Sequence, residues 1–197
     1  MATEIELKAH VADSETLRKV LLEKSEYLWS FQKDDSYWNT MEGASGIRIR
    51  KEKRTFSEGT EKSTLFATYK NKELKGNIEV NNEQEFEICP STGQVFENFL
   101  TRMGLKPLYS KKKRGWAFNH DGITAELVEV KGLGWFIELE ILLEGESIAG
   151  NQEKTVAETE KRLKVFLAAL GIAETAIESR YYSVMLAERG ITGDSSN

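Results

Sequence analysis

Like-charged side chains recur at every second residue in several short stretches of this sequence. Glu4 and Glu6 precede Lys8, Arg48 precedes Arg50, and Glu83, Glu85 and Glu87 alternate. Lys112 and Arg114 share the spacing within a run of four cations, and Glu138 and Glu140 repeat the acidic pattern. Residues i and i+2 of an extended strand share a face. Each stretch therefore presents like charges on one side, with residues such as Ile5, Leu7, Ile47, Ile49, Phe86, Ile88, Ile137, Leu139 and Ile141 on the other. Paired carboxylates supply hard oxygen ligands of the kind Mg²⁺ or Mn²⁺ takes. Arginine grips phosphate through its planar fork and lysine as a point charge. Together in one enclosure they would hold a metal–polyphosphate, and phosphoryl transfer asks for little beyond positioning and charge stabilisation.

The elements that must position these charges follow from periodicity. Strand-like runs lie near Glu4–His10, Ser30–Asn39, Gly46–Arg54, Ser63–Lys70, Glu83–Cys89, Leu108–Phe118, Ile123–Val130 and Trp135–Leu143. Asn119-His120-Asp121-Gly122 suits a type I′ hairpin turn, and Gly132-Leu133-Gly134 makes a second tight connection. Four amphipathic helices are expected. One is capped by Asp13 or Ser14 with a stripe of Leu17, Val20, Leu21 and Leu28. Another follows Pro90 with Val95, Phe96, Phe99, Leu100 and Met103. A third spans about Thr155 to Leu170, and a short one carries Tyr181, Tyr182, Met185 and Leu186. The polar stretch Lys51–Lys62 reads as a long loop. Strands with covering helices give an α+β class. Pattern alone leaves two arrangements level: a solvated antiparallel sheet, or a closed barrel with a polar lumen and helices outside.

The 197 residues carry 27 basic and 32 acidic side chains, a net charge of −5. That balance argues against a general nucleic-acid binder. No apolar run is long enough to span a bilayer, and the N-terminus lacks the features of a secretory signal. One cysteine, Cys89, suits a reducing cytoplasm; it reads as a strand-end packing residue, and His10 and His120 as structural or surface groups. The chain is expected to form one domain over residues 1–190 with a frayed tail over 191–197. No Walker A loop, Rossmann glycine fingerprint or kinase motif set is present.

In order along the chain, Glu4-Ile-Glu-Leu-Lys8, Ile47-Arg-Ile-Arg50, Tyr69-Lys70, Glu85-Phe-Glu87, Lys112-Lys-Arg114 and Gly132-Leu-Gly-Trp-Phe-Ile-Glu-Leu-Glu140 resemble the CYTH family, the triphosphate tunnel metalloenzymes. The resemblance implies a closed eight-stranded antiparallel barrel with helices packed outside. It implies a divalent metal, Mg²⁺ or Mn²⁺, on Glu4, Glu6, Glu138 and Glu140. Triphosphate would be held by Lys8, Arg48, Arg50, Lys70, Lys112 and Arg114, with Glu83, Glu85 and Glu87 as further tunnel acids. Lys8 and Glu126 are the implied catalytic groups. Glu126 is chosen because the family's aspartate before the Gly-Leu-Gly turn is replaced here by Val128. The segment Gln32–Trp38 and the tail Arg180–Leu186 look most like the class IV adenylyl cyclases, which implies conversion of ATP to cyclic AMP and pyrophosphate. The alternatives are hydrolysis of tripolyphosphate or thiamine triphosphate, and a non-catalytic polyphosphate-binding module. An exposed helix face leaves room for a homodimer, and neither nucleic acid nor membrane is an expected partner.

Overall fold

The computed structural model describes residues 2–39, 46–143 and 152–191. Its eight strands are β1 (Ala2–His10), β2 (Glu26–Asn39), β3 (Ile47–Phe56), β4 (Glu61–Lys75), β5 (Ile78–Ile88), β6 (Lys106–His120), β7 (Ile123–Val130) and β8 (Gly134–Leu143). All pairings are antiparallel. Around the sheet they run β1-β5-β4-β3-β2-β6-β7-β8, and β1 bonds to both β5 and β8, which closes the ring. Closure of this kind leaves no unpaired edge.

Alternation sorts the side chains between the two faces. Ile5, Leu7, Ala125, Leu127, Ile137, Leu139 and Ile141 point outward and are covered by α1 (Ser14–Lys24) and α3 (Gln152–Ala169). Asp13 caps α1, its carboxylate accepting from the Thr16 N–H at 3.1 Å. Burial of such a shared face is what stabilises short amphipathic helices. A second outer cluster joins Trp38, Ile49, Leu65, Ala67 and Ile88 to Leu100 and Phe96 of α2 (Gly93–Arg102). A third contains the inward-facing Phe31, Ala117, Val128 and Phe136, together with Tyr182, Met185 and Leu186 of α4 (Tyr182–Glu188). This cluster packs one end of the interior with apolar groups under α4. Gly115 belongs to the same end, and a Cβ there would lie 2.0 Å from the Leu127 carbonyl oxygen.

Four expectations change. Lys51–Lys62 is mostly strand rather than loop: β3 runs to Phe56 and β4 begins at Glu61. Its polar residues alternate between solvent, at Lys51 and Lys53, and the interior, at Glu52. Leu28 lies in β2, not in α1. Of the α2 stripe only Phe96 and Leu100 pack against the barrel, while Val95, Phe99 and Met103 stay exposed. Cys89 is also exposed, its Sγ 3.0 Å from Ser91 Oγ. The turn at Asp121-Gly122 has positive φ at both residues, as the hairpin requires. Residues 192–197 of the expected tail lie outside the described residues.

A carboxylate anchors the segment leading into α4. Glu178 accepts from the Arg180 backbone N–H and guanidinium and lies 3.1 Å from His10 Nε2, while its own N–H donates to the Lys8 carbonyl. The Arg180 bonds hold its carboxyl down at about 2, against an opposing push from burial. A depressed carboxyl pKa adds stability that is full above its unfolded value and fades as pH falls toward the folded one. Acid unfolding between about pH 4.5 and 2 is therefore expected to shift to lower pH dependence in Glu178→Gln, read by circular dichroism. An unchanged acid transition would refute the role.

Candidate functional site

The barrel encloses a cavity of about 300 Å³ lined by eight carboxylates and six cations. Glu4 and Glu6 reach it from β1, Glu126 from β7, and Glu138 and Glu140 from β8. Glu79 and Glu85 come from β5, and Glu52 from β3. The cations are Lys33, Arg48, Arg50, Arg54, Lys111 and Lys113. Lys8 and Asp35 are buried among them, each 2% exposed.

Register brings acids face to face. Glu6 lies opposite Glu140 on one side and Glu79 on the other, and Glu126 lies opposite Glu138. Like charges directly across a ladder repel, so cations must stand between them. Lys113 Nζ donates to both Glu138 oxygens at 2.6 and 2.8 Å, and Lys33 Nζ to both Glu126 oxygens at 2.5 and 2.7 Å. Lys8 Nζ donates to Glu79 at 2.5 Å. Arg50 forks onto Asp35 at 2.7 and 2.9 Å, and Arg54 onto Glu52 at 2.8 and 3.2 Å. Arg48 reaches Thr68 and Glu85.

These pairs outweigh burial. Desolvation alone would raise the Asp35 and Glu138 carboxyls, yet Arg50 and Lys113 respectively hold both well below the usual range. Burial would lower Lys113, and Glu138 keeps it raised. The Tyr182 ring sits amid the cations, its centroid 5.5, 5.1 and 4.9 Å from the ammoniums of Lys8, Lys111 and Lys113. Burial first, then Glu138, pushes its phenol well up. The hydroxyl lies beside Glu138 without a properly directed hydrogen bond.

Most sequence candidates meet here: Glu4, Glu6, Lys8, Arg48, Arg50, Glu85, Glu126, Glu138 and Glu140. Glu87 is exposed instead. The side chains of Lys70 and Glu83 lie outside the described residues. Lys112 and Arg114 are corrected: both face solvent, Arg114 paired with Glu129 on the outer face. The inward cations of β6 are Lys111 and Lys113. Trp116 and Phe118, which share the parity of Lys112, pack on the outer surface beneath α1 and α3. Gly115 and Ala117 follow Lys111 and Lys113 inward, which was the available signal. Reversing charge at Lys112 is therefore expected to change polyphosphate affinity less than about twofold, as for a screened surface charge. Lys113→Ala should weaken it at least about tenfold. Titration calorimetry with tripolyphosphate compares the two, and equal losses would overturn the assignment.

Among the described residues, no three carboxylates or other ligands already converge on a point that a metal could occupy. The donor set nonetheless suits a hard cation, because Glu6, Glu140, Glu126 and Glu138 are crowded as cross-strand neighbours whose repulsion a divalent ion would relieve.

An antiparallel ring with both signs of charge facing one interior defines a barrel with a charged lumen. Residues 2–182 match the CYTH domain family, and the chain belongs to it. No curated protein matches the sequence. Among solved structures, the PH1819 protein of Pyrococcus horikoshii OT3 is 27% identical with a TM-score of 0.72, covering 94% of this chain and 99% of that one. A candidate adenylate cyclase of Vibrio parahaemolyticus is 18% identical, with a TM-score of 0.73 over 93% and 97% of the chains. A candidate adenylyl cyclase from Hippeastrum, described as having a dominant triphosphatase activity, is 17% identical, with a TM-score of 0.64 over 96% of each chain. The last two likenesses concern the fold.

Proposed function

We propose that the protein is a divalent-metal-dependent enzyme that acts on a triphosphate held within the barrel. The observation that carries this reading is the single cavity in which eight carboxylates face six cations. A pure anion receptor gains nothing from those acids. With a divalent ion bound, the same acids add to the neutralisation of the substrate rather than opposing it.

Glu4, Glu6, Glu138 and Glu140 would hold Mg²⁺ or Mn²⁺, which would supply Lewis-acid neutralisation of phosphate charge. Lys8, Arg48, Arg50, Lys111 and Lys113 would grip the phosphate oxygens, the arginines in bidentate fashion. Glu126, released from Lys33 as that ammonium turns to phosphate, would accept the proton of the attacking hydroxyl. Lys33, Lys111 and Lys113 can each exchange a carboxylate partner for a phosphate oxygen, so charge stays balanced as substrate enters.

The preferred reaction is closure of ATP to cyclic AMP with loss of pyrophosphate. Hydrolysis of the triphosphate is the second reading, favoured by the triphosphatase activity described for the Hippeastrum protein of like fold. Incubation of the purified chain with ATP or tripolyphosphate and Mg²⁺ or Mn²⁺, with products resolved by chromatography, separates them. Cyclic AMP with pyrophosphate supports the first, orthophosphate the second. Absence of turnover with these substrates and with thiamine triphosphate, under either metal, would overturn the enzyme.

A further inference from the structure

The residues of α2 that the barrel leaves uncovered form a stripe of their own. Val95, Phe99 and Met103 are spaced four apart and therefore lie along one side of the helix. That side adjoins the one that carries Phe96 and Leu100 into the barrel wall. Phe86 of β5 meets the same helix through Phe96, with ring centroids 6.1 Å apart and planes at 90°. Phe86, Val95, Phe99 and Met103 are each 57–65% exposed. Together they present roughly 450 Å² of apolar surface, toward the upper end of what the largest patch on a monomer shows. The patch is also neutral. α2 carries one acid, Glu97, and one base, Arg102, in a chain where 30% of residues are charged. Glu97 stands two residues from Phe99 and so points away from it, whereas Asn98 and Arg102 flank the stripe.

We propose that this patch is the contact between two copies of this chain, their α2 helices antiparallel across a two-fold axis at Phe99. Phe99 lies midway between Val95 and Met103. The axis therefore sets Phe99 against its counterpart and Val95 against Met103 at both ends, the reciprocity that an isologous contact requires. At the centre two rings pair, and at each end a compact side chain meets a long adaptable one. Charge favours the same occupant. Each copy carries a net charge of −5, so two copies approach most easily through a surface where acids are sparse. A strongly charged partner would find nothing here to select it. Two such patches cover roughly 900 Å² of apolar surface, and the flanking Asn98 and Arg102 bring the total near the ~1,200 Å² at which specific interfaces begin. The dimer is therefore weak, with a dissociation constant of roughly tens of micromolar. No residue of α2 lines the charged lumen, so the pairing stands or falls regardless of what the lumen binds.

Sedimentation velocity of the chain from about 1 to about 200 µM is expected to show monomer passing into dimer. Monomer throughout would overturn the proposal. Phe99→Glu sets two carboxylates against each other at the axis and should weaken the dimer at least about tenfold. Glutamate suits an exposed helical position, and an unchanged circular dichroism spectrum confirms that the fold is kept. Val165→Glu alters a side chain of α3 that is 63% exposed and should leave the dimer as it is. A dimer that Phe99→Glu leaves intact, or that Val165→Glu weakens as much, would overturn the site. A third comparison tests the register. Val95→Lys and Met103→Glu should each weaken the dimer by about tenfold. The double variant brings the two new charges together across the axis, so it should dimerise more tightly than either single variant and lose that gain at high salt. A double variant no tighter than the single ones would overturn the antiparallel arrangement.

Discussion

Glu138→Gln is expected to lower triphosphate turnover at least about a hundredfold while leaving the barrel closed. Glutamine matches the shape of glutamate and keeps one oxygen toward Lys113, so the 2.6 Å bond has a replacement. The charge does not. A neutral amide is a poor ligand for a hard divalent ion, and in the folded protein it leaves the Lys113 ammonium buried without its counter-charge. Removing one partner of a buried pair costs about 3–5 kcal/mol. Tripolyphosphate should restore part of that loss, because its oxygens offer Lys113 a new partner. The variant is therefore expected to melt lower than wild type and to gain more from added tripolyphosphate. Near-normal turnover would refute the metal role of Glu138. A melting temperature equal to wild type would refute the electrostatic account of the pair.

Asp35→Asn should have the largest effect on stability. Asp35 is 2% exposed, takes both arms of the Arg50 fork and has Lys111 at 3.7 Å. Neutralising it strands two interior cations. A penalty of about 3–5 kcal/mol corresponds to a fall of roughly 10 °C in a chain of this size. The paired substitution Asp35→Leu with Arg50→Met should recover most of that stability, since apolar pairs of similar volume often match buried ion pairs. It should not recover polyphosphate binding, because the fork is gone. Calorimetric melting and tripolyphosphate titration distinguish these outcomes, and an Asp35→Asn protein as stable as wild type would refute the expectation. Acid should mimic the single variant. Asp35 titrates below its ordinary range, so its contribution is complete above about pH 4 and is lost as pH falls beneath that.

Much of this was legible in the chain because apolar contrast reveals parity. Ile123–Val130 is recovered with identical bounds, since Asp121-Gly122 and Gly132-Leu133-Gly134 punctuate both ends and Ala125 and Leu127 mark the helix-covered face. Glu4, Glu6, Glu138 and Glu140 stand out for the same reason, alternating with Ile5, Leu7, Ile137 and Leu139. Parity fails where contrast is missing. In Lys111–Arg114 all four residues are cationic, so composition marks neither pair as lumenal, and the Lys112-Lys-Arg114 motif selects the pair that faces outward. In β2 the interior Lys33 and Asp35 alternate with the exposed Gln32 and Asp34, so both faces are polar and neither announces the lumen. Tyr182 was hidden differently. Its helical neighbours Met185 and Leu186 make an ordinary core stripe, and only the docking of α4 over the barrel end brings its ring among three lysines.

The seam between β1 and β8 has a consequence for how the protein comes into being. In the ladder Lys8 lies across from Glu138, and Glu6 from Glu140, so β1 waits for a partner more than a hundred residues later in the chain. Pairings so distant in sequence carry a large loop-closure cost and slow folding. Until that last ladder forms, Glu4 and Glu6 are apart from Glu138 and Glu140, and no divalent ion can draw on both pairs. A metal bound as proposed should therefore bind late and select the finished ring, adding stability that grows with the logarithm of its concentration over its dissociation constant. An intact β1 is the latch of this vessel, and loss of its first residues would uncouple the proposed ion binding from folding.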